Sequence, residues 1–276
     1  METRMIGDGS LRKSNYDPNL ADELRRDMAE KERLAKLKGK GERVQDDVVE
    51  DKGQVNVESG GDFWRIENVL YRGQVQPVRL LKGLLDNGAV KTQDGWAEYS
   101  NESRSKGEFY TPNYQLAHST IRALWEGRDG VGKSEVEEIR EFLKKTSREK
   151  WLMMLTRVGY KKKGKDEVIH DYGLANAFSE RVDFAGKDER VISSCNKDVY
   201  RVLLGDEDVG RIAEIYQWLN ETPVHLWRVN SKPEQDIERV ARLNAGSGWA
   251  YFYCDRVPSG ANASLGVVAE GDAQNF

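Results

Sequence analysis

"GRDGVGKS", residues 127–134, decides how the middle of this chain is read. The letters satisfy the glycine, four residues, glycine-lysine-serine pattern of a phosphate-cradling loop. Such a loop would commit the chain to a parallel α/β sheet, because a buried strand must deliver the turn and a helix must follow it. The flanking residues favour a different reading. Upstream, Thr111-Pro112 opens a segment in which Tyr114, Ala117, Ile121, Leu124 and Trp125 keep helical spacing, where a strand is required. Downstream, Glu135, Glu137 and Glu138 crowd the first helical turn, which suits an empty helix but repels a triphosphate. Ser134 and Glu137 have capping-box spacing. The stretch therefore reads as a connection between two amphipathic helices with Ser134 as the cap. Lys133 and Ser134 remain the residues that an atypical nucleotide-binding protein would use.

"VLLGDED", residues 202–208, resembles the strand whose aspartate completes a Mg²⁺ site. Gly205 interrupts it, so a helix ending at Gly205 with Asp206 capping the next helix is expected.

Working outward, a strand is expected at "FWRIENVLYR" from Phe63, then a helix from Pro77 to Asn87-Gly88, then a hairpin through "AVKTQDGWAEY" at 89–99. After the two central helices come a strand at "WLMMLTRVGY" and short strands near Glu167–His170, Arg181–Phe184 and Arg190–Ser194. Two helices follow between Lys197 and Leu219. The C-terminal part reads as strand "PVHLWRVN", helix "PEQDIERVARLN", strand "GWAYFYCDRV" and a last strand near Leu265–Ala269, which permits a parallel crossover. The class is α+β, or mixed α/β.

The N-terminal part differs in character. Asp17-Pro18 starts a charged helix with a thin stripe of Leu20, Leu24, Met28, Leu34 and Leu37, ended by Gly39 and Gly41. Residues 41–62 are acidic and glycine-containing, as expected of a flexible linker. The division is a disordered start and charged helix over 1–40, the linker over 41–62, and one globular domain over 63–276.

Apolar runs such as Trp151–Leu155 are far short of the roughly 20 residues of a membrane span. No secretory or organelle signal opens the chain, so a cytoplasmic protein without a membrane partner is expected. Cys195 and Cys254 are too few for a disulfide framework, and the three histidines lack metal-ligand spacing. Neither a metal nor a cofactor is called for.

Charge is unevenly spread. Arg140 to Lys165 carries a net +8 in a chain whose total is −4. Its cations Lys144, Lys145, Arg148, Lys150, Arg157, Lys161, Lys162, Lys163 and Lys165, with Tyr160 among them, are the residue types that neutralise phosphates and stack on bases. Folding back of the acidic linker onto this segment would be autoinhibitory.

Two further sets of residues carry chemistry. His170-Asp171 closes a strand, and with Cys254 would supply the base, orienter and nucleophile of a small hydrolase. In "GWAYFYCDR", strand alternation puts Trp249, Tyr251 and Tyr253 on one face and Ala250, Phe252 and Cys254 on the other. His118, within the apolar stripe, reads as structural, and His225 lies in a strand beside Trp227. The favoured expectation is a binding protein whose basic surface takes an anionic partner, nucleic acid or an acidic protein face. The alternatives are the hydrolase and the nucleotide-binding protein.

Overall fold

The computed structural model describes residues 56–271, in which five helices and eleven strands form two sheets. The charged helix expected before residue 41, and the linker up to residue 55, lie outside the described residues. The first strand, β1 (Val57–Ser59), falls within the stretch expected as linker and pairs antiparallel with β2 (Phe63–Tyr71).

The expected helix from Pro77 is instead β3 (Gln74–Leu84), joined to β2 by a two-residue turn in which Arg72 and Gly73 have φ of 51° and 75°. Two successive positive φ values are what a tight hairpin requires, and arginine does not announce them as Asn-Gly would. Pro77 is tolerated because it faces a bulge, where the register shifts between Ile66 and Val69. The expected hairpin at 89–99 is α1 (Gln93–Ser105), capped by Thr92, whose Oγ1 accepts from the Gly95 amide at 3.2 Å. It buries Trp96, Ala97, Ser100 and Ser103, a helical spacing that Asp94-Gly95 disguises as a turn.

α2 (Tyr114–Gly127) begins at Asn113, whose Oδ1 accepts from the Leu116 amide at 2.9 Å. It is buried along most of its length and packs against β2 and against the helices beneath the larger sheet. α3 (Lys133–Glu149) follows, then β4 (Leu152–Tyr160), β5 (Asp166–His170), β6 (Phe178–Val182) and β7 (Glu189–Arg190). α4 (Lys197–Leu204) ends at Gly205 with φ 72°, as its sequence requires. α5 (Val209–Asn220) is capped by Asp208, not Asp206: Asp208 Oδ1 accepts from the Arg211 amide at 3.0 Å. Asp206 is instead buried in an ionic cluster with Arg211 and His118.

β8 (Val224–Trp227), β9 (Ile237–Ala245), β10 (Ala250–Arg256) and β11 (Leu265–Ala269) complete the chain. The helix expected at 233–244 is thus the strand β9. Ile237, Val240 and Ala241 fit a helical stripe, but β9 sits between β4 and β10 and its backbone bonds on both sides. Tertiary pairing overrides the local period. β8 and β10 are parallel, as expected, but β9 rather than a helix lies between them in sequence.

The smaller sheet runs β1-β2-β3-β11 and the larger β6-β5-β4-β9-β10-β8-β7. One core fills the space between the sheets around α2: Trp64, Ile66 and Leu80 from the smaller sheet, Tyr114 and Leu124 from α2, and Tyr216, Leu243 and Phe252 beyond. On the outer face of the larger sheet, α1 covers Met153, Leu155 and Val240. Among the described residues no helix is long and apolar enough to cross a membrane.

Candidate aromatic interface

GRDGVGKS joins α2 to α3 and follows a helix, so the strand that a phosphate loop needs is missing. Gly132 has φ 85°, and a Cβ there would stand 3.3 Å from the Val57 carbonyl oxygen: the glycine lets the loop close against β1. Lys133 and Ser134 are exposed. The capping box does not form, because α3 begins two residues earlier than a Ser134 cap requires, with Gly132 as its cap; Ser134 Oγ donates to Glu135 Oε2 at 2.7 Å. That hydrogen bond lowers the Glu135 carboxyl below its usual range.

The basic segment is divided by the strand it contains. β4 spans nine residues, about 30 Å at ~3.4 Å per residue, and separates the lysines at its two ends. Tyr160 and Arg157 are buried. Tyr160 Oη donates to the Cys254 carbonyl at 2.8 Å. Arg157 reaches Asp94 at 2.7 Å and Glu238 at 3.0 Å, with its guanidinium over Tyr172. Lys144 pairs with Glu141 and Glu221, Arg148 donates to the Asn220 carbonyl at 2.7 Å, and Lys161 meets Asp236 at 3.4 Å. Lys145, Lys150, Lys162, Lys163 and Lys165 remain exposed, the last three at the β4–β5 turn. That turn is held by buried Asp166, which accepts from the Lys161, Phe184 and Ala185 amides and from Lys232 Nζ.

His170 is fully buried and its ring is engaged on both nitrogens: Nδ1 lies 3.0 Å from Thr156 Oγ1 and Nε2 2.9 Å from the Val202 carbonyl. Burial pulls its imidazole down to about 4. Asp171, with φ 50°, accepts from Asn113 at 2.8 Å. Cys254 is buried on β10, and burial raises its thiol well above the usual value. β4 and β9 separate His170 from Cys254. Three strand spacings are about 14 Å, far outside nucleophile–base contact. His118 lies in the core, stacked on Tyr216 at 5.8 Å. Among the described residues no three His, Cys, Asp or Glu side chains gather in a way that could hold a metal ion.

The aromatic alternation leads to a coherent surface. Ala250, Phe252 and Cys254 turn into the core, while Trp249, Tyr251 and Tyr253 take the opposite face. Strand pairing extends that face sideways into two rows. In one, Arg242 of β9, Tyr253 and Trp227 of β8 lie side by side; in the other, Asn244 of β9, Tyr251, His225 of β8 and Arg190 of β7 do.

The rings touch one another. Trp151 stacks on Tyr253 at 4.5 Å, Trp227 meets Tyr253 at 5.5 Å and Tyr251 at 5.8 Å, and Trp249 meets His225 edge to face at 4.2 Å. Arg256 lies over both Trp151 and Tyr253 at 4.7 Å. Tyr253 is buried beneath its neighbours; Trp151, Trp227, Trp249 and Tyr251 each stay part-exposed. Burial, reinforced by the nearby Arg190 charge, lowers the His225 imidazole to about 4, so it is neutral at physiological pH. Arg242 is spent on the loop that follows β10, donating to the Val257 and Gly260 carbonyls at 3.3 and 3.0 Å. The carboxylate at this end, Asp255, lies 3.4 Å from Arg256.

The sequence signals Trp249, Tyr251 and Tyr253 directly. His225 and Trp227 carry the same signal, alternating with Val224 and Leu226, but strand order alone joins them to the others. Trp151 and Arg190 arrive only through tertiary packing, and Arg256 of β10 joins the rings across the register shift that follows Tyr253. No family model, curated protein or solved structure matches this chain.

Proposed function

We propose that this chain is a binding protein whose anionic partner is single-stranded nucleic acid, taken on the outer face of β8, β9 and β10. The observation that carries the reading is a contiguous set of part-exposed rings, Trp151, Trp227, Trp249 and Tyr251, with Arg190 on one side and Arg256 and exposed Lys150 on the other. Stacking needs an open base face, which a duplex hides and a single strand offers, and the cations suit its phosphates. An acidic protein face would use the cations but has no need of the rings.

The hydrolase and nucleotide-loop readings have less support. One places its base and nucleophile on strands separated by two others, and the other lacks its strand.

The test is fluorescence anisotropy of a labelled thymidine oligomer titrated with the full chain at low and moderate salt. Saturable binding that weakens with salt, because phosphate contacts release counterions, and that is weakened about fivefold or more in Trp227→Ala and in Tyr251→Ala, supports the reading. No binding at low salt, or binding indifferent to both substitutions, overturns it.

A further inference from the structure

The two rows of the aromatic face are chemically unlike. In the row of Arg242, Tyr253 and Trp227 the one charged group is buried and already committed to the Val257 and Gly260 carbonyls, so the row offers π surface without an available cation. In the row of Asn244, Tyr251, His225 and Arg190, the Asn244 amide donates to the Ser147 and Lys150 carbonyls at 2.9 and 3.2 Å. Arg190 differs from all of these. It stands directly across from His225 on the neighbouring strand, half-buried, and no carboxylate among the described residues pairs with it. The adjacent acid, Glu189, takes the opposite face with Leu226 and is held by Arg228 at 3.2 Å and by Tyr200 at 3.0 Å.

The rows are two residues apart along β10, about 7 Å, roughly twice the 3.4 Å spacing of nucleotides in a stacked strand. A stretched single strand therefore lays one base on each row. A base stacked on Tyr251 extends over neutral His225 and presents its far edge to Arg190. A guanidinium with free donors in a planar fork matches the O6 and N7 acceptors of guanine better than any other base edge.

On the reading that the face binds single strands, we infer that the Tyr251 row is a base-selecting subsite in which Arg190 recognises guanine, while the Tyr253 row accepts any base. Arg190 is then the specificity-determining residue and the rings supply sequence-independent affinity.

Two labelled probes test this with the full chain: a thymidine heptamer, and the same heptamer with one central guanine. The guanine probe is expected to bind at least about fivefold more tightly, the lower end of the discrimination given by a bidentate base contact. Replacing that guanine by 7-deazaguanine, which lacks the N7 acceptor, should bring the ratio towards one without touching the protein. Arg190→Lys, which keeps the charge but loses the fork, should do the same to the ratio, whereas a merely structural role would weaken both probes equally. Equal binding of the two probes by the unaltered protein overturns the subsite and leaves the stacking reading standing. A preference that survives both 7-deazaguanine and Arg190→Lys overturns the assignment to Arg190. Binding of neither probe overturns both readings.

Discussion

The inner and outer faces of the larger sheet are made by the same strands and from the same residue types, yet they use them differently. On the inner face Phe252 lies edge to face with Tyr114 at 5.7 Å and with Tyr216 at 4.6 Å, all three buried against α2 and α5. On the outer face, one residue along β10, Tyr251 and its neighbours Trp227 and Trp249 keep part of each ring in solvent. Buried aromatics stabilise by the area they remove from water, and half-exposed ones leave area for something else to cover. An aromatic count cannot distinguish the two uses, but the period of a strand combined with the position of the helices does.

The comparison breaks most easily at stability. Phe252→Ala should cost about 3–5 kcal/mol, the range for truncating a packed aromatic, whereas Tyr251→Ala should cost under about 1 kcal/mol. The denaturation midpoints of the two variants measure this, with unchanged slopes. Equal losses would mean that the outer rings are core.

A slightly smaller effect concerns acid. His170, on the inner face, titrates near 4 when folded and near 6.5 when unfolded. Between those values the unfolded chain holds more protons, so stability is complete above about 6.5 and falls as pH drops towards 4, by roughly 3 kcal/mol in all. Unfolding free energies measured across that window should slope accordingly, and His170→Gln should flatten the slope. His225 is lowered in the same direction but is part-exposed, so His225→Gln should flatten it less.

Binding gives the next effect. Trp227→Ala should cost about 1–3 kcal/mol of single-strand affinity with little change in melting temperature, the reverse of Phe252→Ala.

The smallest effect is expected from Lys162→Ala combined with Lys163→Ala. These lysines lie at the far end of β4, beyond a Debye length of about 8 Å from the rings, so affinity at physiological salt should stay within roughly twofold. A large loss would restore the basic segment as the binding surface.

Much of the fold was legible. The strands at Phe63, Leu152 and Ala250, the central helices, and the stop at Gly205 follow from local period and capping chemistry. The misreadings share a cause. At Pro77, at Asp94-Gly95 and at Ile237 a local signal was outvoted by a partner distant in sequence: a bulge in β2, a sheet that buries Trp96, and two flanking strands. The candidate site was legible in part for the same reason. Trp249, Tyr251 and Tyr253 share a face by local geometry, whereas the lysines of the basic segment were contiguous in sequence only.

Alternation along β10, the helix stops and the strandless context of GRDGVGKS belong to the sequence by itself, because each depends on residues within a few positions of one another. Which face of β10 faces solvent, that Trp151, His225, Trp227 and Arg190 come to lie beside it, and that the basic segment is split between two ends were decided by the tertiary structure alone. Period is a property of the chain, but strand order and helix placement are set by non-local pairing, whose energy comes from burying two distant segments against each other.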